Sequence, residues 1–241
     1  MNLNLKNKVI LVTGSTRGIG LSIANALKEE NAIVVRNSRS GENSKYFISA
    51  DVTKESDCQM LINEVIEQHG RLDALICNVG GGDSNPPGTE SRADWQLMIE
   101  MNLLSATTLV EYALPYLKNV RGNVICITSA CGSEYFQGAP LAYSVAKSAL
   151  GSFVKCMSQI TSEVRFNIVS PGNILFEGSI WDTYQRQQPK IVERVLNETS
   201  LQRFGKPEEV ASAVCFLVSD CASFITGAGI NVDGGFTRSL N

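Results

Sequence analysis

A tyrosine and a lysine stand four residues apart in the run AYSVAKSAL, Ala142 to Leu150. Four residues is about one helical turn, so on a helix both side chains emerge from one face, one above the other. A free phenol titrates near 10 and is a poor proton shuttle at neutral pH. A cation within about 4–6 Å favours the phenolate and brings the group nearer to working pH. Tyr143 and Lys147 therefore read as a tuned general acid/base. The plainer reading of the same spacing is an ammonium leaning on an aromatic ring, worth about 0.5–1 kcal/mol. Ser129 closes the apolar run NVICITS, 14 positions before the tyrosine. A hydroxyl at the carboxyl end of a strand can bond a reacting oxygen and stabilise charge developing on it. It can equally cap a turn. The sole histidine, His69, sits in the polar segment EQHGR, where a surface loop is expected, so Ser-His-Asp chemistry is excluded.

A second cluster is TGSTRGIG, Thr13 to Gly20, which follows the first apolar run directly. Gly14, Gly18 and Gly20 permit a tight turn and close backbone approach, and the helix that follows would offer unpaired N–H groups to a pyrophosphate. Ser15, Thr16, Arg17 and Ile19 complete this candidate cofactor loop. The spacing is G-x-x-x-G-x-G rather than the common G-x-G-x-x-G, and alone it fits a plain β-to-α turn as well. Its place at the first βα junction favours a ligand, because ligands bind beyond the carboxyl ends of such strands. An acidic residue about twenty positions on would bond the ribose hydroxyl of NAD. Here nothing acidic occurs from Asn31 to Ser40, and Arg39 lies 19 positions after Gly20. Arg17 and Arg39 could face a 2′-phosphate with guanidinium forks, which favours NADP(H), with NAD(H) the alternative. Either arginine could instead be a solvated surface charge.

The elements that must position these groups show in the hydrophobic pattern. Short β-branched runs recur at residues 9–13, 33–35, 46–49, 74–77, 123–128, 165–169 and 230–232. Helix-length amphipathic stretches such as LSIANALKEE lie between most of them. Apolar strands alternating with helices imply parallel strands covered on both faces, a Rossmann-type doubly wound α/β sheet of about seven strands. No Pro-, Gly- or Ser-rich tract divides the 241 residues, so a single domain spanning 1–241 is expected. Only about ten residues join the second run to the third, too few for a full crossover helix. Residues 173–202, with Trp181, Tyr184 and Pro189, read as a helical excursion outside the sheet, a substrate lid.

Composition narrows the class of partner. The chain is 44% hydrophobic and 19% charged, with a formal net charge of −3 and no basic block, which argues against a nucleic-acid or anionic-membrane footprint. No apolar run approaches the roughly 20 residues that span a bilayer, and no signal region is evident. The seven cysteines form no C-x-x-C pair and several lie in apolar runs. They read as buried free thiols in a reducing cytoplasm, with no metal site.

With both clusters in hand, the sequence resembles the short-chain dehydrogenase/reductase family over essentially its whole length. The resemblance rests on TGSTRGIG, Asp51-Val52, CNVGG (77–81), MNLLSAT (101–107), ICITSACG (125–132), YSVAK (143–147), RFNIVSPGNI (165–174), RFGKPEEVA (203–211) and FITGAGINVDGG (224–235). It implies a catalytic tetrad of Asn102, Ser129, Tyr143 and Lys147. In it the tyrosine exchanges a proton with the substrate oxygen, the lysine also grips the nicotinamide ribose, and the asparagine holds a water leading protons to the lysine. It further implies cofactor contacts from Asp51, Val52, Asn78, Gly80, Pro171, Gly172 and Ile174. Asp51 could instead cap the following helix. Val79 stands where the family usually has alanine. Ile174-Leu175-Phe176 stand where it often places a threonine on the carboxamide, leaving that contact to the Ile174 backbone or absent.

The resemblance implies a small carbonyl or alcohol substrate. The general likeness is to 3-oxoacyl-acyl-carrier-protein reductases. PGNILFEGSIW is similar to reductases of surface-sugar pathways, so a sugar or amino-sugar derivative is the alternative, and a non-catalytic binding scaffold a third. Small residues on the helices near 94–118 and 143–163 (Ala142, Ala146, Ala149, Gly151) suit close pairing between subunits, and the family resemblance implies a homotetramer or homodimer.

Overall fold

The computed structural model describes residues 2–239. Seven parallel strands form one sheet in the order β3-β2-β1-β4-β5-β6-β7. They are β1 (Val9–Val12), β2 (Ile33–Ser38), β3 (Phe47–Ser49), β4 (Ala74–Cys77), β5 (Asn123–Ile127), β6 (Arg165–Pro171) and β7 (Gly229–Val232). Helices α1 (Gly18–Glu29) and α8 (Pro207–Val218) cover one face. Helices α2 (Glu55–His69), α4 (Ser105–Asn119) and α5 (Leu141–Ile160) cover the other. Strands buried on both faces have no polar side to keep, which is why β1, β4 and β5 read as unbroken apolar runs. Their side chains split by alternation. Leu11, Leu75, Val124 and Cys126 join one core layer, and Ile10, Ile76, Ile125 and Ile127 the other. Fully burying each such aliphatic side chain contributes about 1.5–3 kcal/mol. The strand order reverses between β1 and β4, so the crevice beyond their carboxyl ends is the natural ligand position.

The link from β2 to β3 carries no helix, as the spacing required. The chain folds back through Gly41 and a Ser44–Phe47 bridge, and short β3 still pairs in parallel with Arg36–Ser38. Residues beyond β6 leave the sheet as α6 (Ile180–Gln187) and α7 (Pro189–Glu198) and return to α8. Helix α3 (Arg92–Ile99) begins at a capping box between Ser91 and Asp94. A π-helical turn, Glu100–Leu104, joins it to α4.

Three expectations need correction. His69 is not in a loop but ends α2, where its Nε2 meets the Lys45 carbonyl at 2.8 Å. The cysteines are free, but Cys156 and Cys221 are exposed and Cys131 is half-buried. Two of the small residues of α5 serve the chain's own packing, while Ala149 and Gly151 remain part-exposed. Ala142 and Ala146 are fully buried, and a Cβ on Gly151 would touch Ile168 of β6. Among the described residues no helix is long and apolar enough to cross a membrane, and no group of His, Cys, Asp or Glu could hold a metal.

Candidate active site

Helix α5 carries Tyr143 and Lys147 toward the carboxyl ends of β4 and β5. Its N-cap, Pro140, has no side chain to satisfy the free N–H groups. Glu90, from the loop after β4, supplies the missing acceptor: its Oε1 accepts from Leu141 N at 2.6 Å. Gly132 lets the short 3-10 turn after Ser129 lie directly on α5, since a Cβ there would meet Lys147 at about 3 Å.

Lys147 is 3% exposed, and its Nζ donates to the Ile127 carbonyl at 2.9 Å. Burial lowers its pKa to about 8, while the thiols of Cys126 and Cys77 work the other way. The ammonium lies 5.9 Å from the centre of the Tyr143 ring. Burial pushes the Tyr143 phenol up to about 12, and its hydrogen bond with Ser129 opposes that rise. This reverses the expected direction. The lysine sits over the ring and donates to a backbone carbonyl, not to the phenol oxygen, so loss of solvation of the phenolate sets the direction. The tyrosine therefore holds its proton at neutral pH.

Ser129 does both things read from its place: its Oγ caps the 3-10 turn by accepting from Cys131 N at 3.2 Å, and it meets the Tyr143 phenol. Asn102 occupies the π-helical turn, a distortion that recurs at functional sites. Its Nδ2 donates to the carbonyls of Gly81 and Met98, and its Oδ1 accepts from Gly81 N at 3.0 Å. A Cβ on Gly80 would stand 2.7 Å from both Asn102 Oδ1 and Lys147 Nζ. The absent side chain is what lets those two groups converge. All four tetrad positions thus surround one end of the β4–β5 pair.

The glycine loop fits a dinucleotide's pyrophosphate. Gly14 and Gly18 adopt left-handed backbone, with φ of 61° and 55°. Helix α1 has neither a side-chain cap nor an acidic residue in its first turn, so its N-terminal N–H groups remain free for an anion. A Cβ on Gly20 would collide with the Gly14 carbonyl at 2.3 Å. Ser15 is structural: buried, it bonds the carbonyls of Val12 and Asn37. Thr16 is exposed, and Ile19 is half-buried against the α1–α8 core layer. The amide of Asn78 clamps the loop by donating to the carbonyls of Thr13 and Gly14.

Arg17 and Arg39 are both exposed on this side, and neither forms an ion pair among the described residues. Arg17 precedes α1, and its guanidinium lies beside Gly178. Arg39 directly follows β2. Asp51 does not cap α2, whose N-cap is Lys54. Instead its Oδ1 accepts from the N–H and hydroxyl of Thr53 in an Asx turn. Val52 is buried in the core. Gly172 approaches β7 so closely that a Cβ would stand 2.7 Å from Asp233, and Pro171 ends β6 beside it. Ile174 bridges to Gly205 and is buried. Phe176 replaces the hydroxyl of the family pattern with a ring that rests on Gly18, 2.5 Å from where a Cβ would be.

Two features escaped the sequence reading. Glu90 gave no motif, because its partner is a helix start 51 residues away. Asn173 has a buried Nδ2 with no partner. Its signal was its place directly after Pro171-Gly172 at the carboxyl end of a strand.

Residues 14–237 match a family model described as "Enoyl-(Acyl carrier protein) reductase". The chain belongs to the short-chain dehydrogenase/reductase family. The L-fucose dehydrogenase of Bos taurus is 34% identical over 250 residues, covering 98% of this chain and 91% of the relative. Ligand-free aldohexose dehydrogenase from Thermoplasma acidophilum superposes with a TM-score of 0.90 at 29% identity, covering 99% of this chain and 98% of that one. L-sorbose reductase from Gluconobacter frateurii, complexed with NADPH and L-sorbose, gives 0.90 at 26% identity, each chain fully covered. As a short-chain dehydrogenase/reductase, the protein is an oxidoreductase of the CH–OH/C=O couple that binds NAD(P).

Proposed function

We propose that this enzyme interconverts a carbonyl and a secondary alcohol on a sugar or related polyhydroxylated compound, using NADP(H). The observation that carries the chemistry is the convergence of Ser129, Tyr143, Lys147 and Asn102 around Gly80. The nicotinamide, when bound, supplies or accepts the hydride. In reduction Tyr143, protonated at neutral pH, gives its proton to the carbonyl oxygen, and the Ser129 hydroxyl bonds that oxygen as charge develops. Lys147 holds the ribose and, beside Asn102, returns a proton toward the phenol. The glycine loop seats the pyrophosphate on the free N–H groups of α1. Pro171, Gly172 and Ile174 flank the nicotinamide, and Asp51, Val52, Asn78 and Gly80 the adenosine. Arg17 and Arg39, unpaired and exposed beside that loop, would take a 2′-phosphate.

Sugar substrates are supported by the named activities of the relatives. A 3-oxoacyl thioester is the second reading; the family model's description shares with it an acyl-carrier-protein thioester, of the enoyl and not the 3-oxo kind. Against a carrier-protein dock, Arg165 turns inward and bonds the carbonyls of Leu217 and Ile225. Helices α6 and α7 would act as a lid, a reading supported by Trp181, Ile191 and Val195 packing in one cluster with Ala130, next to Ser129. The apolar side chains Leu97, Leu104, Leu141 and Val145 are exposed along α3, the π-helical turn before α4, and α5, which supports a homotetramer or homodimer through these helices. Sedimentation of a monomer alone contradicts it. The substrate test is turnover of a panel of aldoses and ketoses beside a 3-oxoacyl thioester, with NADP(H) and NAD(H). Sugar turnover above thioester turnover supports the reading, and thioester turnover alone overturns it.

A further inference from the structure

The loop from β4 to α3 runs across the tetrad and is fastened at both ends. At its start Gly81 exchanges two hydrogen bonds with the Asn102 amide. A Cβ on Gly82 would touch the Tyr143 ring at 3.5 Å, so the chain there passes beside the ring with room for about one methyl group between them. At its far end Asn85 donates to the Asp94 carboxylate at 2.8 Å, the Thr89 hydroxyl donates to the Pro86 carbonyl at 2.7 Å, and Ser91 and Asp94 close the capping box of α3.

Glu90 ties this loop to the catalytic helix. One carboxylate oxygen accepts from Gly88 N at 2.6 Å and the other from Leu141 N at 2.6 Å. Hydrogen bonds to an ionised carboxylate are short and roughly twice as strong as neutral ones. Leu141 opens α5, two residues before Tyr143, and follows Pro140, which has neither an N–H nor a side-chain acceptor. The first-turn N–H groups of a helix have no partner within it, so the turn that carries Tyr143 takes its anchor from outside. Leu141 is 37% exposed, so apolar burial adds little hold at this point. Beyond the tyrosine, Lys147 is fixed to the Ile127 carbonyl at 2.9 Å. Tyr143 thus sits between an anchor of its helix to the sheet and an anchor to the loop that passes its ring.

We propose that Glu90 is a positioning residue for proton transfer: its carboxylate pins the first turn of α5 to the loop after β4 and so holds the Tyr143 phenol in line with the substrate oxygen. This rests on the reading of Tyr143 as the proton donor. Proton transfer tolerates little displacement, and a misplacement of about 1 Å costs on the order of 10²-fold in rate. Leu141 and Tyr143 lie about 3 Å apart along the helix axis, so a shift of the first turn moves the phenol with it.

The test compares NADPH oxidation by a reactive diketone in Glu90→Ala, Glu90→Gln and Leu141→Pro, with Glu90→Ala also combined with Tyr143→Phe. Leu141→Pro removes the donated N–H at the first helical position, which accepts proline, so it breaks the same bond while keeping the fold. Glu90→Ala and Leu141→Pro should each lower kcat by about tenfold or more, with KM and the NADPH Kd within about twofold of wild type. Glu90→Gln keeps an acceptor for Leu141 N and should recover most of the rate. With Tyr143→Phe already present, Glu90→Ala should cost less than about twofold further, because no phenol is left to place. Glu90→Ala or Leu141→Pro at the wild-type rate, or a full-sized further loss in the Tyr143→Phe background, overturns the assignment. If Tyr143→Phe alone oxidises NADPH as fast as wild type, the reading of Tyr143 fails first and this inference with it.

Discussion

Replacing Lys147 by methionine is expected to make the cofactor-free protein more stable while removing its activity. The ammonium is 3% exposed, and burial lowers its pKa from 10.5 to about 8. At about 1.4 kcal/mol per pH unit, keeping the charged form buried costs on the order of 3 kcal/mol at neutral pH. Methionine keeps the aliphatic packing but gives up the hydrogen bond to the Ile127 carbonyl, worth about 1 kcal/mol. The net gain is about 2 kcal/mol at pH 7, or roughly 4–8 °C in Tm for a domain of this size. The folded pKa lies below the unfolded one, so between about 8 and 10.5 the unfolded chain holds more protons. Wild-type stability therefore climbs relative to the variant across that window, and the gap closes near its upper end. Urea titrations of both proteins from neutral pH to about pH 10.5 measure the difference directly. A variant less stable than wild type at pH 7, or a gap that does not change across the window, refutes the reasoning.

Gly18 combines left-handed backbone with a ring pressed against its α-carbon. Gly18→Ala should cost about 1–2 kcal/mol in backbone strain and about 1–3 kcal/mol in overpacking against Phe176. Adding Phe176→Ala should recover the second part, and strictly additive losses in a denaturant cycle would show that the ring does not press there. Arg39→Asp should lower kcat/KM for NADPH by about tenfold or more, one charge-assisted contact, and raise it for NADH. A wild type that already prefers NADH contradicts the assignment of Arg17 and Arg39.

The sheet was legible because each strand is buried on both faces and so reads as a bounded apolar run, with turn residues between. All seven runs became strands. The candidate site was legible because Tyr143 and Lys147 are linked by helical spacing and Ser129 by its place at a strand end, while Asn102 came only from the family resemblance. What stayed hidden depends on contacts distant in sequence or on solvation. Nothing in the types of Tyr143 and Lys147 reveals that burial governs both, raising one pKa and lowering the other. Asp51 offered a helix cap, and the local N–H and hydroxyl of Thr53 engage its Oδ1 instead. Of the small residues of α5, Ala142 and Ala146 are taken up by the chain's own packing, while Ala149 and Gly151 stay part-exposed. Phe176 over Gly18 joins two loops 158 residues apart, a meeting that only the folded chain creates.

The central claim is that Tyr143 delivers the proton as hydride reaches the carbonyl. It is tested most directly by single-turnover oxidation of bound NADPH in wild type and Tyr143→Phe, using a reactive diketone. Loss of a positioned general acid should slow the step by about 10²–10⁴-fold with the NADPH Kd unchanged. A Tyr143→Phe protein that oxidises NADPH within a few-fold of the wild-type rate would contradict it.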